Sequence, residues 1–322
     1  MTSRRNFLIT TGLGVLAPAQ LVAQPKPVRV GILSPRKLAE SSYAPHLVRR
    51  LEELGYHDGR TMALEYRSSD GVVERYPKLA RDLLEKNCAL IFAITNHSAQ
   101  ALHEARPSSP VVFLAVEGDP LRAGLVPNLR RPTGNFTGVY VPQEEMVAKR
   151  IEILREVVPV RHLLLLTDPL GKHQLESARK AAEPAGIQLT VVEFPRPPYD
   201  FEGAFETGRK ANVDAVMLLD SPRFGNDRVL IAGLLLKYRL PSVTFSVQHA
   251  HAGFLLAYSP NQSKFARRAA EIGVQILKGA KPVDIPVEQA DEFELTVNVK
   301  TASALGVKMP GSVLVRATRV IE

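Results

Sequence analysis

The feature that most constrains this chain is a regular alternation of short, continuously apolar segments with amphipathic ones. Ala89–Ile94 and Val111–Val116 contain no polar residue, and His162–Thr167 and Val213–Leu219 contain almost none. A strand that is apolar on both faces has to be covered on both, which is the situation of a parallel sheet between two helix layers. Between such segments Leu47, Val48, Leu51 and Leu54 recur at helical spacing until Gly55, and Tyr76, Leu79, Ala80, Leu83 and Leu84 repeat the pattern. Strand onsets near residues 28, 61 and 90 are echoed near 162, 187 and 213. The spacing predicts two βαβαβ units and hence two similar α/β lobes, which suits a chain of 322 residues. After Gly253 the order changes. A strand at 254–258, a helix at 264–277, a connection bounded by Pro282 and Pro286 and a strand at 293–299 predict a tail that returns to the first lobe and crosses back. The expected division is 28–138 with 253–284 in the first lobe, and 139–252 with 285–322 in the second.

Composition removes several classes. Cys88 is the single cysteine, so neither an intramolecular disulfide nor a cysteine-rich metal cluster can form. No apolar run approaches the roughly 20 residues that span a bilayer. The net charge of +8 is spread along the chain rather than clustered, so no nucleic-acid partner is expected. The first two dozen residues read as an address. Ser3-Arg4-Arg5-Asn6-Phe7-Leu8-Ile9 has the form of a twin-arginine export signature, and Leu21-Val22-Ala23 suits cleavage after Ala23. Residues 1–23 are therefore expected to be an export signal and the mature protein to be periplasmic. A general secretory signal with a basic n-region is the alternative.

Tests for catalysis mostly fail. Gly31 stands alone after the first strand, without a dinucleotide fingerprint. Gly171-Lys172 has Leu166 and His173 where a phosphate-binding loop needs Gly and Ser or Thr. No nucleophile elbow or zinc-protease helix occurs. Two S-x-x-K matches, at Ser34 and Ser177, lack companion motifs, and His249-Ala250-His251 lacks a third metal ligand nearby. Glu144-Glu145 opens a helix, where carboxylates are favoured anyway. No catalytic residue, metal or cofactor is expected.

What remains is a set of polar loops at the ends of strands. They read Ser34-Pro35-Arg36, Thr95-Asn96-His97-Ser98, Glu117-Gly118-Asp119-Pro120, Thr167-Asp168-Pro169, Asp220-Ser221-Pro222 and Ser246-Val247-Gln248. Helix capping accounts for any one of them. Three per lobe, however, would converge on one crevice if the lobes face each other, since ligands of open parallel sheets sit beyond the carboxyl ends of the strands.

The ordered motifs Gly31-Ile32-Leu33-Ser34, Leu54-Gly55-Tyr56-x-x-Gly59, Glu65-Tyr66-Arg67, Asp119-Pro120-x-x-x-Gly124-Leu125-Val126, Pro132-x-Gly134-Asn135-x-Thr137-Gly138-Val139 and Lys149-Arg150-x-x-x-Leu154 resemble the ABC-transporter substrate-binding proteins of the tryptophan/tyrosine type. The likeness continues through Gly253-x-x-x-x-Tyr258, Ile276-Leu277-Lys278-Gly279 and Phe293-Glu294-Leu295-x-x-Asn298 to Leu305-Gly306. It implies a type I periplasmic-binding fold: two Rossmann-like lobes with parallel sheets, joined by three crossovers. It implies that ligand contacts fall on Thr95, Asn96, His97, Ser98, Asp119, Thr137, Tyr140, Asp220 and Tyr258, to which the strand-end loops add Ser34 and Asp168 as candidates. In that scheme N–H groups and hydroxyls near Asn96–Ser98 hold a carboxylate, Asp119 or Asp220 meets an ammonium, and Tyr43, Tyr140, Phe224 or Tyr258 packs on an apolar portion. The implied function is capture of a small polar or amino-acid-like ligand, such as an amino acid or aromatic carboxylate, for delivery to a membrane permease and its ATPase. A sensor module presenting its ligand to a membrane receptor is an alternative, and an exported hydrolase or isomerase a more distant one.

Overall fold

The structure is a computed structural model that describes residues 26–322. The expected export signal at 1–23 lies outside the described residues.

The first sheet is built from β1 (Val28–Ser34), α1 (Ala44–Glu53), β2 (Met62–Ser68), α2 (Tyr76–Glu85), β3 (Leu90–Ile94), α3 (Asn96–Glu104), β4 (Val111–Ala115) and β5 (Phe136–Tyr140). The chain then passes through α4 (Gln143–Val157), β6 (His162–Thr167), α5 (Leu175–Ala182), β7 (Gln188–Glu193), α6 (Phe201–Lys210), β8 (Ala215–Leu218), α7 (Phe224–Lys237), β9 (Ser242–Thr244), α8 (Val247–Ala252) and β10 (Leu256–Pro260). The tail comprises α9 (Gln262–Leu277), β11 (Glu288–Gln289), β12 (Phe293–Asn298), α10 (Val299–Leu305), α11 (Gly311–Arg316) and β13 (Arg319–Ile321).

Two sheets result, in the orders β11-β5-β4-β3-β1-β2 and β13-β12-β10-β9-β8-β6-β7. Every ladder is parallel except β10 with β12. Each sheet is sandwiched as its sequence requires. Alternate residues of β1 go to opposite sides: Val30 and Ile32 pack under α1 and α9, and Leu33 packs under α2 and α3. In the second lobe Leu163 and Leu165 face one layer, and Leu164 and Leu166 the other.

The chain crosses between the sheets three times: from β5 into α4, from β10 into α9, and from β11 to β12. The last two crossings fall later than expected. Residues 253–284 were assigned to the first lobe, yet β10 pairs with β9 and β12 in the second sheet. Conversely β11, expected with the second lobe, adds to β5 at the edge of the first. The reason is that Leu256 and Ala257 are as apolar as a first-lobe strand, and only pairing partners distinguish the two destinations. We place the crossings at Val141–Pro142, Pro260–Asn261 and Ala290–Glu292.

Candidate functional site

Strands of both sheets end toward each other, and the loops that follow them meet. Glu117, two residues beyond β4, and Asp220, two beyond β8, are only 2 % and 7 % exposed. Neither has an arginine or lysine within 4.0 Å among the described residues; Glu117 has only the His97 ring, at 4.0 Å. Glu117 accepts a hydrogen bond from the Asn96 N–H, and its own N–H donates to Asn96 Oδ1 at 3.0 Å. Gln143 Nε2 donates to Asp220 Oδ2 at 3.1 Å and also to the Val116 carbonyl, so α4 ties the two lobes together at its first residue. Gln174 holds the Asp220 backbone from both sides, accepting from its N–H at 3.0 Å and donating to its carbonyl at 2.9 Å. Burial raises the Glu117 and Asp220 carboxyls above the usual range, and the charge of Asp220 raises Glu117 further.

Arg150 lies on the same buried stripe of α4 as Met146, Val147, Ile151 and Leu154. Its Nε donates to the Tyr258 carbonyl at 2.9 Å and Nη1 to Gln143 Oε1 at 3.3 Å. Burial lowers it to about 10, against the pull of Asp220, so it stays charged at neutral pH. Tyr43 stands beside this group, its phenol pushed upward by burial and then by Asp220 and Glu117.

Glu117, Asp220, Gln143, Arg150 and Tyr43 line a cavity of about 200 Å³ between the lobes, together with Arg36, Thr95, Phe245, Ser246, Arg228 and His249. That exceeds the roughly 150 Å³ that admits a benzene ring. A second interlobe cavity, of about 490 Å³, adjoins it behind Glu117, Gln143 and Gln174.

The expected ligand contacts divide among these places. Thr95 and Asp220 line the first cavity, with Tyr43. Asn96, His97, Asp119 and Tyr140 line the second, where the Tyr140 hydroxyl donates to Gln289 Oε1 at 2.8 Å. The others reach neither. Ser34 is buried and accepts from the Arg36 N–H at 3.3 Å. Thr137 donates to the Ile285 carbonyl at 2.8 Å, fixing the returning tail to β5. Asp168 is fully buried under its own loop, accepting from the Tyr199 and Ser221 hydroxyls at 2.7 and 2.9 Å and from two backbone N–H groups. Tyr258 packs on Phe293. Phe224 is in the second-lobe core against Phe194, Tyr199 and Phe201.

The expected carboxylate seat at Asn96–Ser98 is also corrected. The Ser98 N–H caps onto Thr95 Oγ1 at 3.1 Å and the Asn96 N–H is taken by Glu117, so the chain's own groups occupy two of the donors that the carboxylate was expected to meet. Gln143, Gln174 and Arg228 are not marked by the sequence, while Arg36 and Arg150 stand there only inside a strand-end loop and a motif, and His249 only in a rejected metal pair. Arg150 carried a readable signal, since a charged residue on an apolar helix stripe has to meet something polar. The others fall on loops or helix ends, where no periodicity marks them.

Two doubly covered α/β lobes, linked by three crossings and enclosing a polar cavity, define the type I periplasmic-binding fold. The chain belongs to the ABC transporter substrate binding protein family, whose model matches residues 46–321. It is 23 % identical over 264 residues to a tyrosine-binding protein of Clostridioides difficile, covering 80 % of this chain and 74 % of that one. A crystal structure from Streptococcus pneumonia, an ABC domain in complex with L-Trp, superposes with a TM-score of 0.83 at 25 % identity, covering 92 % of this chain and all of the other. The ligand-free, open structure of a substrate binding protein from Clostridium difficile gives 0.69 at 21 % identity, covering 91 % and 99 %.

Proposed function

We propose that this chain is the extracytoplasmic solute-binding component of an ABC uptake transporter, exported to the periplasm, which captures an amino-acid zwitterion between its lobes and releases it unaltered to a permease and its ATPase. The observation that carries the reading is the convergence of Glu117 and Asp220, one from each lobe, on a single cavity with no arginine or lysine within 4.0 Å of either among the described residues. A buried carboxylate needs compensation, and a ligand ammonium between the two would supply it for both lobes at once. Arg150 lines the same cavity and its Nη2 makes no hydrogen bond among the described residues, so it suits the α-carboxylate. The tyrosine- and L-Trp-binding relatives support a ligand of this class.

Because the contacts come from both lobes, they exist together only when the cleft is shut. Binding therefore favours the closed form by the free energy of the added contacts. Hinge closure about ligands is the known motion of periplasmic binding proteins, and here the three crossings are the segments that would bend.

Calorimetric titration with L-tyrosine and L-tryptophan tests the reading. Saturable 1:1 heats with the amino acid recovered intact support it, and product formed beyond the protein stoichiometry overturns it. Asp220→Asn and Glu117→Gln each leave one carboxylate for the ammonium and should weaken binding about tenfold or more, the effect of losing a charged hydrogen-bond partner.

A further inference from the structure

The cavity has a second end, and its chemistry is opposite to the first. His249, in α8, is 2 % exposed and lines the cavity, and both of its ring nitrogens lack a hydrogen-bond partner. Phe245 and Phe254 flank the ring at 5.0 and 5.1 Å and hold it in place. Burial and then Arg228 lower its pKa to about 3, outweighing a contact with the Phe224 backbone that falls outside hydrogen-bond geometry, so it is a neutral imidazole with one N–H to donate. Buried polar groups are nearly always paired, so an orphaned imidazole on a cavity wall points to a partner that arrives from outside.

Two arginines share that wall. Arg228 Nη1 donates to the Gly225 carbonyl at 2.6 Å, and Arg36 reaches Asn226 and, at 3.4 Å, the Pro222 carbonyl. Among the described residues neither has a carboxylate within 4.0 Å. Their mutual repulsion shows in Arg36, which is lowered first by burial and next by Arg228. Of the acids around them, Glu40 lines the same cavity but is exposed, and Asp70 and half-buried Asp227 act on Arg36 only at longer range. One end of the cavity thus holds the carboxyl pair of Glu117 and Asp220 beside Arg150, and the other has two arginines without a carboxylate partner beside an imidazole donor.

Building on the zwitterion reading above, we propose that Arg36, Arg228 and His249 form a side-chain subsite for an oxygen acceptor, so that the cleft selects amino acids whose side chains end in a hydroxyl, phenol or carboxylate over those ending in hydrocarbon. A site built to hydrogen-bond such a group rejects the analogue without it, because its own polar groups are then left buried and unpaired.

The test is calorimetric titration with two matched pairs, L-tyrosine against L-phenylalanine and L-glutamate against L-norvaline. At least one oxygen-ended member binds about tenfold or more tightly than its counterpart. Arg228→Met and His249→Leu, each checked by circular dichroism for a retained fold, lower that ratio toward one. Equal affinities within both pairs overturn the subsite while leaving the amino-acid reading intact, and so does a ratio that both variants preserve. Failure of all four amino acids to bind overturns the zwitterion reading and the subsite with it.

Discussion

The Asn96 N–H belongs to the first turn of a helix, where unpaired donors and the helix dipole favour an anion. Here the acceptor is the Glu117 carboxyl, which burial and then Asp220 raise above the unfolded value of about 4.3. A carboxyl raised in the folded state holds its proton where the unfolded chain has lost it. Its contribution to stability is therefore complete below pH ~4.3 and is lost as pH climbs toward the folded value. His97 and His249, lowered by burial to about 4 and about 3, act the other way, since the unfolded chain binds protons that they refuse as pH falls below ~6.5. Comparing wild type with Glu117→Gln cancels the histidines. Between pH 5 and 8 the wild type should lose stability relative to the variant, with a slope of at most about 1.4 kcal/mol per pH unit for one proton. Denaturant unfolding at the two pH values checks this, and a pH-independent difference refutes it. Glu117 was visible in the sequence as a polar residue after an apolar strand, but its role was not. Nothing in a linear pattern says that a side chain from β4's loop will occupy the helix turn that follows β3.

At the level of elements, the strands of the doubly covered sheets were legible because burial on both faces leaves an unbroken apolar run. The short elements were not. The polar loop at 246–248 continues as α8, and beyond the strand expected at 293–299 the chain adds α10, α11 and β13. Helical spacing up to Gly186 predicts a helix over 172–185, and the segment starts with a 3-10 turn at Lys172–Gln174 while its helix ends at Ala182. These lengths fall below what intrinsic propensity can specify, and tertiary packing decides them. One close approach was fixed by residue type. Gly138 in β5 lies opposite Phe113 in β4, and a Cβ there would fall 2.1 Å from the Phe113 carbonyl oxygen. Because the obstacle is backbone, no rotamer change relieves it. Gly138→Ala should part these strands next to the first crossing and cost about 3 kcal/mol. Gly311, at the start of α11 with nothing within 4 Å of its Cβ direction, is the contrast. Gly311→Ala should be neutral or stabilising by about 0.5 kcal/mol. Thermal unfolding of both variants separates a steric requirement from mere glycine content, and equal shifts would contradict the strand argument.

For the whole molecule, the order of the first sheet puts the crossings at one edge, β5 and β11, and places β1 and β2 at the other. The loops after β1 and β2 are therefore the lip farthest from the hinge strands, and they touch the second lobe. Arg36 binds Asn226 and the Pro222 carbonyl, Asn226 Nδ2 reaches the Asp70 carbonyl at 3.5 Å, and Glu74 pairs with Arg223. Glu74 is two-thirds exposed, so its ion pair contributes at the low end, about 0–1 kcal/mol. Under the proposed hinge motion these contacts would form a clasp that biases the ligand-free protein toward the closed form. Asn226→Ala with Glu74→Gln removes the clasp without touching a residue that lines the small cavity. A loss of about 1 kcal/mol from the closed state alone shifts the open-to-closed ratio roughly fivefold and weakens ligand affinity by at most that factor. The expected signature is a larger ligand-free radius of gyration by X-ray scattering, a faster ligand dissociation rate and an unchanged radius for the ligand-saturated protein. Asp220→Asn should do the reverse, weakening binding while leaving the ligand-free shape closed. If the clasp variant changes neither the ligand-free radius nor the dissociation rate, the lip contacts are incidental, and closure is governed by the carboxylates and the ligand alone.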